Sequence, residues 1–277
     1  MKRVATIQDF SCVGKCSLSV ALPIISAAGV EACGIPTALL SNHTGFTRFH
    51  IRDLTDELLP VSETLNSLDI GFDAIYTGYA ANSRQIELIS GLVDGYREQG
   101  AMIFVDPVMG DDGRLYSGLT EDFPQYMRKL CADADLIMPN MTEACLLIGR
   151  EYIASPTAEQ LHEVLYALLE LGAKKAVITG ATRDNGRITG ALGFDGKRFY
   201  EAYTQVQPLV CWGTGDIFAS SLVGAVMSGH DFQRALEIAV GYTYECVRLT
   251  ALDPDRRTYG VNFEQALPEY IRLLSSV

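Results

Sequence analysis

Apolar residues along this chain follow two alternating rhythms. Short continuous runs at 4–7, 37–40, 74–76, 102–105, 136–138 and 176–179 have the length of buried strands, and each ends in a polar break. Between them, segments 18–28 (interrupted by Pro23), 54–68, 83–99, 123–131, 142–148 and 158–171 repeat apolar positions at helical spacing, the fifth opening on a Thr142 cap. Short strands alternating with helices predict βαβ units and a parallel sheet. After Thr179 the pattern changes. Residues 188–194 and 199–203 flank Asp195-Gly196, a two-residue hairpin signal, so antiparallel strands extend one side of the sheet. Helices over 217–227 and 232–249 close the chain. The expected fold is a three-layer α/β/α sandwich with a mainly parallel central sheet and an antiparallel extension.

Composition narrows this picture. With 277 residues, 48% of them hydrophobic, and no linker, repeat or low-complexity tract, one domain over 1–277 is the simplest organisation. The net charge of −12 argues against nucleic acid and anionic membrane as partners, because both require a basic footprint. The first residues lack the apolar stretch of a signal peptide, and no apolar run approaches the ~18 residues of a membrane span. Seven cysteines are an odd number without a CxxC pair, and Cys12-x-x-x-Cys16 has no second ligand pair downstream. Buried free thiols in a reducing cytosol, hence a cytoplasmic protein, are expected.

Candidate chemistry lies where strands end. Asn42-His43-Thr44, Asp106-Pro107, the segment from Pro139 to Glu143, and Thr179-Gly180 all follow strand-like runs and would project from the carboxyl edge of the sheet, where open α/β folds bind ligands. Trp212-Gly213-Thr214-Gly215-Asp216 then enters a helix of small and apolar residues. Its glycines let main-chain amides approach an anion, and a helix start favours phosphate. An aspartate there would repel phosphate unless Asp216 faces the nucleophile and takes its proton, which is the geometry of a kinase for small hydroxylated molecules. The plainer alternative is that Thr214 or Asp216 caps the helix.

Other segments carry similar alternatives. Residues 106–113 place Asp106, Asp111 and Asp112 among two glycines, either as Mg²⁺ ligands shared with substrate phosphates or as an acidic surface loop. Asn140 and Glu143 offer a second oxygen cluster, for metal binding, for capping, or for both. His43 either touches substrate or makes structural hydrogen bonds. Residues 13–17 fail the P-loop spacing because Asp9 stands where the first glycine belongs, and Gly-x-Ser-x-Gly is absent. Trp212 can fill core space beside the anion loop, and 206–210 and 240–246 are either core or contacts to the adenine base, mostly core.

Together, Ile7-Gln8, Ser41-Asn42-His43-Thr44-Gly45, Thr77-Gly78-Tyr79, Asp106-Pro107-Val108-Met109-Gly110-Asp111, Pro139-Asn140 with Glu143, and Gly213-Thr214-Gly215-Asp216 resemble the pyridoxal kinases of the ribokinase superfamily, in the same order and over nearly the whole chain. The resemblance implies ATP-dependent phosphorylation of the 5′-hydroxymethyl group of pyridoxal, pyridoxamine or pyridoxine, and usually a homodimer. It implies Asp216 as base and Gly213, Thr214 and Gly215 as the anion hole. Asp106 and Glu143 would serve Mg²⁺ and the nucleotide phosphates, Asn140 and Thr179 the nucleotide, and Asp111 to Tyr116 a flap over ATP. Thr44 and Tyr79 would contact the pyridine ring. Two departures stand out. Asp9 replaces the serine common after Ile-Gln and so puts an anion near the ring, suited to a protonated amine or ring nitrogen. Met138 stands where relatives often carry threonine near a monovalent-cation site, which weighs against K⁺ activation unless a backbone carbonyl substitutes as ligand for the monovalent cation. The alternatives are a hydroxymethylpyrimidine (phosphate) kinase, a sugar or nucleoside kinase, and a non-catalytic B6- or nucleotide-binding protein.

Overall fold

The computed structural model describes residues 1–276. β1 (Arg3–Ser11) leads through α1 (Leu18–Ala27) to β2 (Glu31–Leu40), and a short strand β3 (Ile51–Asp53) precedes α2 (Leu58–Ser67). β4 (Ala74–Thr77), α3 (Ser83–Glu98) and β5 (Met102–Val105) follow. A small hairpin, β6 (Gly110–Asp111) and β7 (Arg114–Leu115), then leads to α4 (Phe123–Cys131), β8 (Leu136–Ile137), α5 (Met141–Ile148) and α6 (Ala158–Glu170). β9 (Ala176–Arg183), β10 (Ile188–Phe194) and β11 (Phe199–Gln205) precede the helices α7 (Thr214–Met227), α8 (Phe232–Leu252) and α9 (Phe263–Ser275).

Nine strands form one sheet in the order β11-β10-β9-β8-β5-β4-β1-β2-β3. Pairing is parallel from β2 through β9 and antiparallel at β9–β10, β10–β11 and β2–β3. The side chains alternate between two cores. Ile7, Ile75, Ile103 and Val105 face α2 to α6, whereas Val4, Tyr76, Phe104 and Val177 face α1, α7, α8 and α9. This is the expected three-layer α/β/α arrangement. The chain runs outward from β1 to β2 and β3, then resumes on the other side at β4, so the carboxyl ends of β1 and β4 flank the topological switch point.

Several expectations needed correction. The antiparallel extension lies at both edges, because β3 pairs with residues 38–40 of β2. β2 begins at Glu31, six residues before the apolar run; Gly34 and Pro36 hide it in sequence, and Pro36 is tolerated because β3 does not reach it. The 195–198 connection has four residues rather than two, and Asp195 Oδ1 accepts the N–H groups of Lys197 and Arg198, both at 2.9 Å. β9 continues past Thr179 through a register shift at Gly180, whose φ is 67°. A further helix, α9, follows α8. Its Pro268 reads as a breaker, but burial of Phe263, Ala266 and Tyr270 and the bond from Tyr270 Oη to the Ser221 carbonyl (3.0 Å) hold it in place.

The thiols are all free, yet only Cys131, Cys145 and Cys246 are buried, and Cys12 is exposed. Val206 and Val210 are exposed rather than core, whereas Val240 and Cys246 are core. Trp212 is 57% exposed and so does not fill core space. Among the described residues no helix is long and apolar enough to cross a membrane.

Candidate active site

Gly213 adopts a left-handed conformation (φ 82°) just before α7. Only glycine fits there, because a β-carbon would land on the carbonyl oxygen of Lys15. The turn leaves the N–H groups of Thr214, Gly215 and Asp216 without intrahelical acceptors, all at the positive end of α7. Gly213 itself is the N-cap, and neither Thr214 nor Asp216 makes a side-chain cap bond, which removes the capping alternative. Part of Asp216 reaches the surface, but its carboxyl lies deep among protein atoms. Burial pushes its pKa up to about 7. The nearby backbone of Ser17 opposes the shift, while the charge of Asp9 adds to it.

Asp106 lies two residues beyond Phe104 and therefore shares the face of the sheet on which α7 packs. It is buried, and its pKa is held well above the usual carboxylate range by burial first, then by Glu143 and Asp216. Glu143 is pushed up to about 8 by burial, despite accepting bonds from main-chain N–H groups. Its Oε1 accepts Met109 N–H at 3.1 Å and its Oε2 accepts Asn140 N–H at 2.8 Å. Asn140, not Thr142, is the N-cap of α5. Its Oδ1 accepts Glu143 N–H (2.9 Å) while its Nδ2 donates to the Gly110 carbonyl (2.9 Å). This capping box also clasps the 106–110 segment. Thr179 lies beside Asn140 through a parallel bridge, and its N–H donates to the Pro139 carbonyl at 2.9 Å.

The flap is a folded hairpin. Asp112 and Gly113, with φ of 48° and 76°, make its tight turn. Gly113 N–H donates to Thr142 Oγ1 (2.9 Å) and Tyr116 N–H to the Met109 carbonyl (2.9 Å). The Tyr116 phenol is raised by burial and by the charges of Glu143, Asp111, Asp106 and Asp216, although the residue is exposed. Asp111 is exposed at the hairpin.

On the switch-point side, the β1–β2 register slips between Gln8 and Phe10, so Asp9 alone faces two residues of β2. Asp9 is buried and its pKa is raised by burial, against the proximity of Ser17, its own backbone and His43 and the Ser11 hydroxyl, which donates to its Oδ2 at 3.4 Å. Tyr79 is raised by burial, then by Asp9. Both ring nitrogens of His43 are engaged. Nδ1 accepts the Gly45 N–H at 3.0 Å, which leaves Nε2–H to donate to the Tyr259 carbonyl at 3.1 Å. The ring also lies 5.8 Å from that of Trp212, so His43 clasps three loops and offers a ligand only its ring surface. Thr44 is exposed, beside this clasp.

The site thus gathers Asp9, Tyr79, Asp106, Tyr116, Glu143 and Asp216, with Asn140 and Thr179 at one end. Lys15 ion-pairs with Glu264 at 2.8 Å, consistent with rejection of a P-loop. Sequence reasoning missed that Ser17, the last residue of the failed P-loop segment, lies near both Asp9 and Asp216; nothing in its neighbours in sequence signals that. Among the described residues no three His, Cys, Asp or Glu side chains form a ready metal cage. Two buried, mutually repelling carboxylates still suit Mg²⁺, which takes one or two carboxylates and completes its shell with waters and phosphate oxygens.

Comparison with known proteins places this geometry in context. The family model described as phosphomethylpyrimidine kinase matches residues 21–262. A Bacteroides thetaiotaomicron protein, provisionally named a phosphomethylpyrimidine kinase and crystallised with pyridoxal, is 34% identical with a TM-score of 0.92, covering 97% of this chain and 95% of that one. The pyridoxal kinase of Lactobacillus plantarum is 31% identical with a TM-score of 0.89, covering 99% and 98%. Pyridoxal kinase from Leishmania donovani, solved with ADP and pyridoxamine, is 25% identical with a TM-score of 0.88, covering 100% and 98%.

Proposed function

The chain belongs to the pyridoxal kinase family, within the wider group matched by the phosphomethylpyrimidine kinase model, and on that premise we propose that it transfers the γ-phosphoryl group of ATP to the 5′-hydroxymethyl group of a B6 vitamer. The carrying observation is the buried carboxyl of Asp216, poised beside the free amides at the start of α7. Ionised, it takes the hydroxyl proton as the oxygen attacks, while the amides of Gly213 to Gly215 face the transferred group. The rest is positioning and charge stabilisation. Pyridoxal in the Bacteroides protein and ADP with pyridoxamine in the Leishmania enzyme support both substrate classes.

Asn140, Thr179, Asp111 and Tyr116 form the nucleotide side. Asp106 would hold Mg²⁺ together with Glu143, and the ion supplies charge neutralisation at the phosphates when bound. Asp9, His43, Thr44 and Tyr79 form the ring side, where Asp9 suits a protonated amine or ring nitrogen. Met138 is buried on the α7 face, where its thioether offers no hard oxygen to K⁺. Residues 1–277 are read as one kinase domain, working in the cytoplasm where its seven free thiols stay reduced. The protein acts as a homodimer. Support comes from exposed Leu39 on β2, which lines an apolar cavity of about 360 Å³ with Phe10, Leu18, Leu22 and Pro36, and from exposed Ile51 on β3, on the other face of the same sheet edge.

An ADP-release assay across pyridoxal, pyridoxamine, pyridoxine, hydroxymethylpyrimidine and ribose tests the reading. Turnover of at least one B6 vitamer well above the other acceptors is expected. Preference for hydroxymethylpyrimidine moves the enzyme to the neighbouring activity, and silence on all five removes the kinase assignment.

A further inference from the structure

Gln85 opens the inward face of α3 and is fully buried. As the third residue of the helix it could complete a capping box with Asn82, whose Oδ1 accepts the Gln85 N–H at 2.9 Å. Its side chain goes elsewhere. Oε1 accepts the N–H of Ala81, the residue before the cap, at 2.8 Å. Nε2 reaches β2 and the turn after β3, donating to the Thr37 carbonyl and to Thr55 Oγ1, both at 2.9 Å, with Asp53 Oδ1 a longer contact at 3.3 Å. Thr55 gives its own hydroxyl hydrogen to Asp53, so its oxygen is free to accept. A main-chain N–H at one end and a main-chain carbonyl at the other fix which way the amide lies.

The groups this amide binds flank the ring side of the site. Thr37 is one of the two β2 residues opposite Asp9 at the register slip, and its hydroxyl donates to the Tyr79 carbonyl at 3.4 Å. Ala81 lies two residues past Tyr79. On the other side of Tyr79, Gly78 N–H donates to the Ile7 carbonyl at 3.2 Å, and the Gln8 side chain occupies the space a β-carbon on Gly78 would need. The turn is thus held to β1 before Tyr79 and to β2, through Gln85, after it. We propose that Gln85 is a positioning residue for the B6 acceptor, pinning the turn that carries Tyr79 to the stretch of β2 that faces Asp9. The inference rests on the function proposed above. An apolar side chain would pack on this face of α3 equally well, but it would deprive the Ala81 N–H of its acceptor. The turn would then meet β2 only through the longer bond between Thr37 and Tyr79.

Two variants break the amide's bonds while roughly keeping its volume. Gln85→Met loses them all. Gln85→Glu keeps the Ala81 bond but sets an oxygen against the Thr37 carbonyl and a charge against Asp53. Each is expected to raise the acceptor KM about tenfold, the scale of one or two hydrogen bonds, with the ATP KM unchanged. Thr37→Val removes only the hydroxyl bond to the Tyr79 carbonyl and should raise the acceptor KM about threefold; it decides the question if neither Gln85 variant folds. On a Tyr79→Ala background, Gln85→Met should raise the acceptor KM no further. An acceptor KM at the wild-type value in every variant that folds overturns the inference, as does an equal rise in the ATP KM, or full additivity with Tyr79→Ala. The unsubstituted enzyme runs alongside. Its silence on every B6 vitamer removes the proposed function itself, whereas its turnover combined with silent Gln85 and Thr37 substitutions removes only the role of Gln85.

Discussion

The carbonyl oxygen of Lys15 fills the space that a β-carbon on Gly213 would need, which ties the loop before α1 to the anion-binding turn before α7. Gly213→Ala must therefore displace one of two main-chain segments, and it adds a side chain at φ 82°. We expect kcat to fall about 10²-fold or more, the usual cost of losing an oxyanion donor, with the circular dichroism spectrum retained. Kinetics within threefold of wild type would remove the anion-hole assignment.

Asp216 sets a pH dependence. Its carboxyl must be ionised to accept the proton, and burial holds its pKa at about 7. Acceptor kcat/KM should therefore rise from pH 6 to 8 with an inflection near 7. Asp216→Asn should lower kcat by roughly 10² to 10⁴ and abolish that inflection. An unchanged profile in the variant would assign the titration to another group.

Stability should run the other way. Asp216 and Glu143 titrate at about 7 and about 8 in the folded protein, against 3.8 and 4.5 ordinarily, and Asp106 is raised too. The native state thus holds protons that the unfolded chain has released, so stability present at acidic pH is lost as pH rises through these folded values. Scanning calorimetry of the ligand-free protein should show Tm declining from pH 5 to pH 8, less steeply in Glu143→Gln. Mg²⁺ with nucleotide should recover Tm at pH 8 by binding the ionised acids. A Tm that climbs across this range would contradict the burial of the three carboxyls.

Trp212 is the only tryptophan, exposed beside the anion turn and near His43. Its fluorescence should change on addition of ATP and pyridoxamine together, and Trp212→Phe should erase the signal while leaving the fold intact. Emission indifferent to both ligands would place the acceptor away from this turn.

Leu39 and Ile51 test the homodimer. Charged replacements, Leu39→Glu with Ile51→Glu, should convert a dimer into a monomer by light scattering. A dimeric double variant would locate the interface elsewhere.

Local patterning made much of the scaffold legible. The runs 102–105 and 188–194 coincide with β5 and β10, and 123–131 with α4, because each is contiguous and bounded by turn residues. The motif at 213–216 likewise carries its own chemistry, since glycine conformation and a helix start are properties of neighbouring residues. β3 and the first half of β2 were hidden, since an exposed three-residue strand and a strand containing Gly34 and Pro36 depend on their partners for identity.

The amino-acid order by itself determined the alternating elements and which carboxylates end up at strand ends. Tertiary structure alone decided that Glu143 bonds the N–H of Met109, that His43 bonds the carbonyl of Tyr259, and that α9 survives Pro268. The physical reason is range. Helix and strand periodicity is written over a few residues, whereas burial, its effect on a carboxyl, and contacts such as Lys15 with Asn262, 247 positions apart, arise only when distant segments are brought together.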